Sequence, residues 1–264
     1  MSFAEFGDPA RPPLVIVPGI AEGLRPIGRA GAVLAAVFYR DLRAFRVLVT
    51  SRRVPTLAGH TTAAMADDLA GLLEATAAGP AIVHGISLGG FVAQHLAARH
   101  PHLVERLVLG STVAHVDADI AGIVNRWERL AREARWAEFQ RDMVDSVYTG
   151  HTPARYRLIA AANRRGVRLM PGPLLVERFS AHCAAARRHD ARPVLADIRC
   201  PTLVLGGADD LVTRPERMRE LVDSIAGARL ILFDRAGHGA FEQRKRDWDQ
   251  AILEFAHEAR GRQR

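Results

Sequence analysis

The stretch GISLGG, Gly85 to Gly90, has the form Gly-x-Ser-x-Gly with Gly85, Ser87 and Gly89 in the fixed places. A serine that attacks a carbonyl must stand out of a tight strand-to-helix turn, and glycines let the backbone crowd there without side-chain clashes. Serine is a poor nucleophile until a base takes its proton, and that base needs a carboxylate to hold its tautomer and stabilise the imidazolium. The chain carries both types downstream. His238 lies between two glycines in AGHG, in a loop able to swing a side chain, and GGADDLV carries the adjacent carboxylates Asp209 and Asp210. A tetrahedral oxyanion also needs two backbone N–H donors. The residue after the nucleophile, Leu88, is expected to supply one.

The elements around these residues fit that chemistry. Ala-Ile-Val at 81 to 83 predicts a short buried strand, and Leu88, Phe91, Val92 and Leu96 recur at helical spacing, so Ser87 falls where a strand ends and a helix begins. Leu14 to Val17, Val47 to Thr50, Arg106 to Leu109, Thr202 to Leu205 and Leu230 to Phe233 read as further strands. Helix signals separate them: Ala32 to Phe45, a segment capped by Thr61 or Thr62 with Met65, Leu69, Leu72 and Leu73 on one face, and a closing helix with Phe241, Trp248, Ile252 and Phe255. Repeated strand, helix, strand order predicts an α/β protein with a mostly parallel sheet covered on both faces. From Thr112 to about Asp197 the strand signals disappear. Trp127, Trp136, Phe139, Tyr148, Tyr156 and Phe179 are spread there among polar helical stretches broken at Gly150 to Pro153 and Met170 to Pro173, which reads as a helical insertion.

Composition excludes several function classes. A chain of 264 residues, 48% hydrophobic and 25% charged, is long enough for one sizeable core with an insertion. No segment has the ~18 uninterrupted apolar residues of a membrane span, and MSFAEFGDPARPP lacks a basic start followed by a long apolar run. A cytoplasmic protein without a membrane partner is expected. The net charge of +7 is carried by arginines spread over nearly every segment, with Lys245 the single lysine, and not by a basic stripe interleaved with aromatics, so no nucleic-acid partner is expected. Cys183 and Cys200 read as free thiols. The pair His100 and His102 lacks a third ligand at metal spacing and no H-E-x-x-H occurs, so neither a metal nor a cofactor is expected. The elbow lacks the G-K-[ST] ending of a phosphate loop. His84, at the end of a strand, reads as a packed core histidine.

Four stretches, VPGI at 17 to 20, GISLGG at 85 to 90, GGADDLV at 206 to 212 and AGHG at 236 to 239, each follow a predicted strand. With them the chain resembles the α/β-hydrolase superfamily over nearly its whole length. Within it the chain looks most like small enol-lactonases, esterases and cofactor-free haloperoxidase-like proteins, which share the look of Leu195 to Pro201. The resemblance implies an α/β-hydrolase fold with a core of residues 1–111 and 198–264 and a helical lid of residues 112–197. It also implies the order nucleophile, acid, histidine, matched by Ser87, Asp209 and His238. Asp209 falls three residues after Gly206 at the family's usual acid position; Asp210 stands where relatives often carry Pro, and an acid after the fourth strand, such as Asp117, is the remaining alternative. The second oxyanion donor would be the N–H of Ile20, where Pro18-Gly19 replaces a frequent His-Gly.

The resemblance thus implies a serine hydrolase that cleaves a carboxylic ester, lactone or thioester of a small, largely apolar acyl substrate through an acyl-enzyme on Ser87. Trp127, Trp136 and Phe139 of the lid are the candidate pocket residues, and a homo-oligomer is allowed. The same three side chains also serve carbon–carbon bond hydrolysis and perhydrolysis, and the fold can act as a non-catalytic receptor for a small ligand.

Overall fold

The computed structural model describes residues 1–21, 24–54, 59–149, 154, 158 and 173–258. Seven strands form one sheet: β1 (Phe3–Gly7), β2 (Pro13–Val17), β3 (Arg46–Thr50), β4 (Ala81–Ile86), β5 (Val104–Gly110), β6 (Thr202–Gly207) and β7 (Arg229–Phe233), in the order β1-β3-β2-β4-β5-β6-β7. Every neighbouring pair is parallel except β1 with β3. All six expected strands are present, and β1 is an addition. Its five residues pair antiparallel along the sheet edge from Phe3↔Thr50 to Gly7↔Arg46, where one face is less covered and the apolar signal is correspondingly thin.

The strands are apolar at nearly every position because both faces are buried. Val15, Val17, Leu48, Val83, Leu107, Leu109 and Val204 point into one core and Leu14, Ile16, Val47, Val49, Ile82, Val108, Leu203 and Leu205 into the other, the alternation that the pleat imposes. The first core is closed by helices α2 (Thr62–Ala75) and α3 (Leu88–Arg99). Thr61 caps α2 by accepting the N–H of Ala64. The second core is closed by α1 (Arg29–Phe38) and the final helix, around Trp248, Ile252 and Phe255. Burying a Leu, Ile or Val side chain fully contributes roughly 1.5–3 kcal/mol, so these two layers hold the sheet rigidly beneath its loops.

Between β5 and β6 the described residues form α4 (Ala118–Arg132), α5 (Trp136–Val147) and α6 (Pro173–Arg187), with the strand-like residues before α4 and after α6 tied to each other by an isolated bridge between His115 and Asp190. The breaks read at Gly150 to Pro153 and at Met170 to Pro173 fall almost wholly outside the described residues, as does Tyr156. After β6 come α7 (Pro215–Asp223), α8 (Ala240–Gln243) and α9 (Lys245–Glu258). Phe241 therefore sits on its own one-turn helix and not on the last helix with Trp248, although all pack into the same core. Likewise the first helix ends at Phe38, ahead of a short turn at Arg40–Leu42, instead of running to Phe45.

Candidate active site

Ser87 stands between β4 and α3 with φ 52° and ψ −119°, a conformation that costs a non-glycine residue roughly 1–3 kcal/mol. The surroundings hold it there. The Ser87 N–H donates to Gly110 O at 2.8 Å, continuing the ladder to β5, and the Thr112 hydroxyl donates to Ser87 O at 3.1 Å. The turn closes only because Gly89 has no side chain. A Cβ there would lie 1.9 Å from Val17 O, so the first turn of α3 packs directly on the loop leaving β2. The N–H of Leu88 opens α3, among the amides that a helix leaves without an internal acceptor. Ile20 lies in that neighbouring loop, and both side chains belong to one buried apolar cluster with Phe91, Val113 and Val212.

His238 Nε2 lies 3.1 Å from Ser87 Oγ, and His238 Nδ1 lies 3.0 Å from Asp210 Oδ2. The acid in contact with the histidine is therefore Asp210, and the expectation for Asp209 is corrected. Asp209 is exposed, and its backbone is what it contributes: its N–H donates to Ala236 O at 2.9 Å and its carbonyl accepts the Thr149 hydroxyl at 2.6 Å. The turn after β6 faces Asp209 outwards and the next residue inwards. Asp117, the other alternative, caps α4 by accepting Ile120 N–H and pairs with Arg217 at 2.9 Å.

Asp210 is 2% exposed. Burial pushes its carboxyl up, but the charge of His238 and hydrogen bonds from His238 and Thr213 outweigh that and hold it below the usual carboxylate range. Its Oδ1 accepts Val212 N–H and Thr213 N–H, both at 2.8 Å, and Oδ2 accepts the Thr213 hydroxyl at 2.7 Å. With every lone pair directed, the carboxylate is fixed as an acceptor for the histidine Nδ1–H, which leaves Nε2 as an acceptor facing the Ser87 hydroxyl. Thr213 was not singled out in the sequence. Its one available signal is spacing: a hydroxyl three residues after Asp210 can close a turn on that carboxylate, whereas Asp209 is followed at that distance by Val212.

The histidine loop is held from the insertion. Gly239 N–H donates to Val147 O at 2.8 Å, Gln243 Nε2 donates to Thr149 O at 3.1 Å, and Gly237 N–H donates to Gln243 Oε1 at 2.8 Å. The Tyr148 hydroxyl donates to Glu242, and a Cβ on Gly239 would lie 2.5 Å from the Tyr148 ring. Of the candidate pocket residues, Trp127 is buried and its indole N–H donates to Asp142 Oδ2 at 2.8 Å, tying α4 to α5. Trp136 and Phe139 pack edge to face, 6.0 Å apart, against the apolar cluster that holds Ile20 and Leu88, and the buried Trp136 indole N–H has no hydrogen-bond partner among the described residues.

His84 is a core residue. Burial lowers its pKa to about 4, its Nδ1–H donates to Val108 O, and its Nε2 accepts the indole N–H of Trp248. Cys183 and Cys200 are free thiols, with the Cys200 pKa raised to about 11 by burial. Among the described residues no group of three or more His, Cys, Asp or Glu could hold a metal ion, and no helix is long and apolar enough to cross a membrane.

Residues 12–245 match the family model described as alpha/beta hydrolase fold. A Mycobacterium tuberculosis protein whose name places it provisionally among non-heme bromoperoxidases is 30% identical over 210 residues, covering 75% of this chain and 76% of that one. A pimeloyl-[acyl-carrier protein] methyl ester esterase of Neisseria meningitidis is 32% identical over 188 residues, 68% of each chain. Among solved structures, the enol-lactonase from Burkholderia xenovorans superposes with a TM-score of 0.78 at 23% identity, covering 97% of this chain and 96% of that one. With a sheet, an elbow and a family model that coincide over most of its length, the chain belongs to the α/β-hydrolase family, an enzyme family with esterases among its members.

Proposed function

We propose that the protein is a serine hydrolase in which His238, oriented by Asp210, deprotonates Ser87 for attack on the carbonyl of an ester, lactone or thioester. The Leu88 and Ile20 N–H groups then hold the oxyanion, the alkoxide, phenoxide or thiolate leaves with a proton from His238, and water activated by the same histidine releases the acid from Ser87. The observation that carries this reading is the continuous relay of 3.1 Å from Ser87 Oγ to His238 Nε2 and 3.0 Å from His238 Nδ1 to Asp210. The apolar side chains beside Ile20 and Leu88 support a small hydrophobic acyl group as the substrate class. The names of relatives, a methyl ester esterase and an enol-lactonase, agree with ester and lactone substrates. The helices between β5 and β6 would act as the lid, with Trp136 and Phe139 facing the acyl chain.

The test is covalent labelling together with turnover. An activated fluorophosphonate should modify Ser87, and Ser87→Ala should abolish hydrolysis of p-nitrophenyl esters of graded chain length, lactones and thioesters. A protein that hydrolyses these equally well without Ser87 would refute the mechanism. A second reading, perhydrolysis, draws on the relative named for bromoperoxidase chemistry. Hydrogen peroxide would replace water in attack on the acyl-enzyme and release a peracid, so peracid formation from an ester and peroxide, lost in Ser87→Ala, distinguishes it.

A further inference from the structure

Arg52 follows β3 by two residues and is 5% exposed. An interior guanidinium must find acceptors for its fork of N–H groups. This one finds two backbone carbonyls: Nη1 donates to Gly19 O at 2.8 Å and Nη2 to Pro18 O at 2.6 Å. Those are the last two carbonyls before the N–H of Ile20. A peptide unit is planar and trans, so its C=O and N–H point in opposite directions. Anchoring the Gly19 carbonyl on Arg52 therefore turns the Ile20 N–H away from the guanidinium. The Ile20 side chain belongs to one buried cluster with Leu88, the residue after Ser87, and with Phe91 of α3.

We infer that Arg52 is the positioning residue of the oxyanion hole. It touches no reacting atom and acts by fixing the rotation of the peptide that bears the second donor. The inference deepens the hydrolase reading and rests on it. An arginine suits this place because its rigid planar fork meets two successive carbonyls in one preorganised geometry; a lysine has donors for both but holds them on a flexible stem. Glycine at 19 makes the constraint necessary, since its backbone rotates more freely than any other residue's and an unanchored Gly19–Ile20 peptide can turn its N–H out of line. Arg52 also lines a shallow cleft with Thr50, His60, Asp68 and His182, and truncating its side chain would open further room there. That cleft gives a small cation in solution a route to the same carbonyls once the side chain is removed.

The experiment compares wild type, Arg52→Ala, Arg52→Lys and Ser87→Ala on a p-nitrophenyl ester, with thermal unfolding of each. Loss of one oxyanion donor typically costs 10²–10³-fold in kcat, so Arg52→Ala should lower kcat by about 10²-fold while KM stays within about threefold. Arg52→Lys should fall between the two. Affinity for an alkyl boronic acid, whose tetrahedral adduct occupies the hole, should fall in parallel with kcat. Millimolar guanidinium should restore kcat in Arg52→Ala without affecting wild type. An unchanged kcat in Arg52→Ala, a loss confined to KM, or a reduced kcat with wild-type boronate affinity and no rescue by guanidinium overturns the inference. If Arg52→Ala does not fold, Arg52→Lys decides, and wild-type kcat in that folded variant overturns it. Wild type with neither esterase activity nor Ser87 labelling fails the hydrolase reading itself, a result separate from all of these.

Discussion

Two arms of the site meet at His238, one at each ring nitrogen, and they are held in different ways. The serine arm is a backbone construction: a left-handed φ at Ser87, a ladder bond to Gly110, and a glycine whose missing Cβ lets α3 sit on the β2 loop. The acid arm is a side-chain construction, in which Asp210 is oriented by Val212, Thr213 and His238, and the loop around it is tied by residues from the insertion. Backbone constructions demand particular residue types at particular places and leave a sequence signature. Side-chain constructions tolerate a shift of one residue if a neighbour takes the role.

The contrast is broken most directly by exchanging the two aspartates. Asp210→Asn should lower kcat/KM for ester hydrolysis by about 10⁴-fold, as loss of an orienting carboxylate does in serine hydrolases, while Asp209→Asn should stay within about threefold of wild type. The reverse ranking would return the acid role to Asp209. On the serine arm, Gly89→Ala should cost about 3 kcal/mol or more in denaturant unfolding, because the added methyl meets a backbone oxygen and not a movable side chain. A variant as stable as wild type would show that the elbow can relax.

Acid separates the arms further. Burial holds His84, on the strand that feeds the elbow, at about 4, and His182 and His189 at about 3. These folded values lie below the ordinary histidine value of about 6.5, so the neutral forms carry no penalty above that pH. Below it the unfolded chain gains protons that the folded chain refuses, and stability should fall by about 1.4 kcal/mol per pH unit for each histidine down to its folded value. Asp210 is displaced in the same direction, within the carboxylate range: its contribution is present above about pH 3.9 and is lost only as pH falls through its lower folded value. Denaturant midpoints should therefore drop from pH ~6.5 downward, and His84→Gln should make that drop shallower. Midpoints flat from pH 7 to 5 would contradict the buried, neutral assignment.

Thr213→Val removes one donor to Asp210 and should lower kcat about tenfold, with a stability loss of about 1.5 kcal/mol. Thr149→Val, which removes one tie between the insertion and the acid turn, should cost about 1 kcal/mol and leave kcat nearly unchanged. Equal effects from the two would mean that the acid arm depends as much on the insertion as on its own turn.

Most of the fold was legible because the sheet is buried on both faces. Leu14 to Val17 or Thr202 to Leu205 can be nothing but interior strands, whereas β1, half exposed at an edge, leaves little pattern to read. Ser87 and His238 were legible because glycines bracket each of them for steric reasons visible at Gly89 and Gly239. The acid was not, because Gly206-Gly207 and Asp209-Asp210 are tandem pairs. Counting three residues from the first glycine reaches Asp209 and from the second reaches Asp210. Only the fold of the turn, with Asp210 N–H on Gly207 O and the Asp209 backbone spent on Ala236 and Thr149, decides between them. Arg52 escaped notice for a similar reason: its partners are carbonyl groups, which any sequence supplies.

The tie between Val147–Thr149 and the loops beneath it also bears on how such a protein can be recombined. A chimaera joined at 112 and 197, where the strand rhythm of the sequence stops and resumes, would import a foreign insertion and with it foreign neighbours for Gly237, Gly239 and the carbonyl of Asp209. Grafts that retain Val147, Tyr148 and Thr149 from the recipient carry the recipient's own clamp on its histidine loop. The end of α5 therefore belongs, for such a graft, with the histidine loop that it holds.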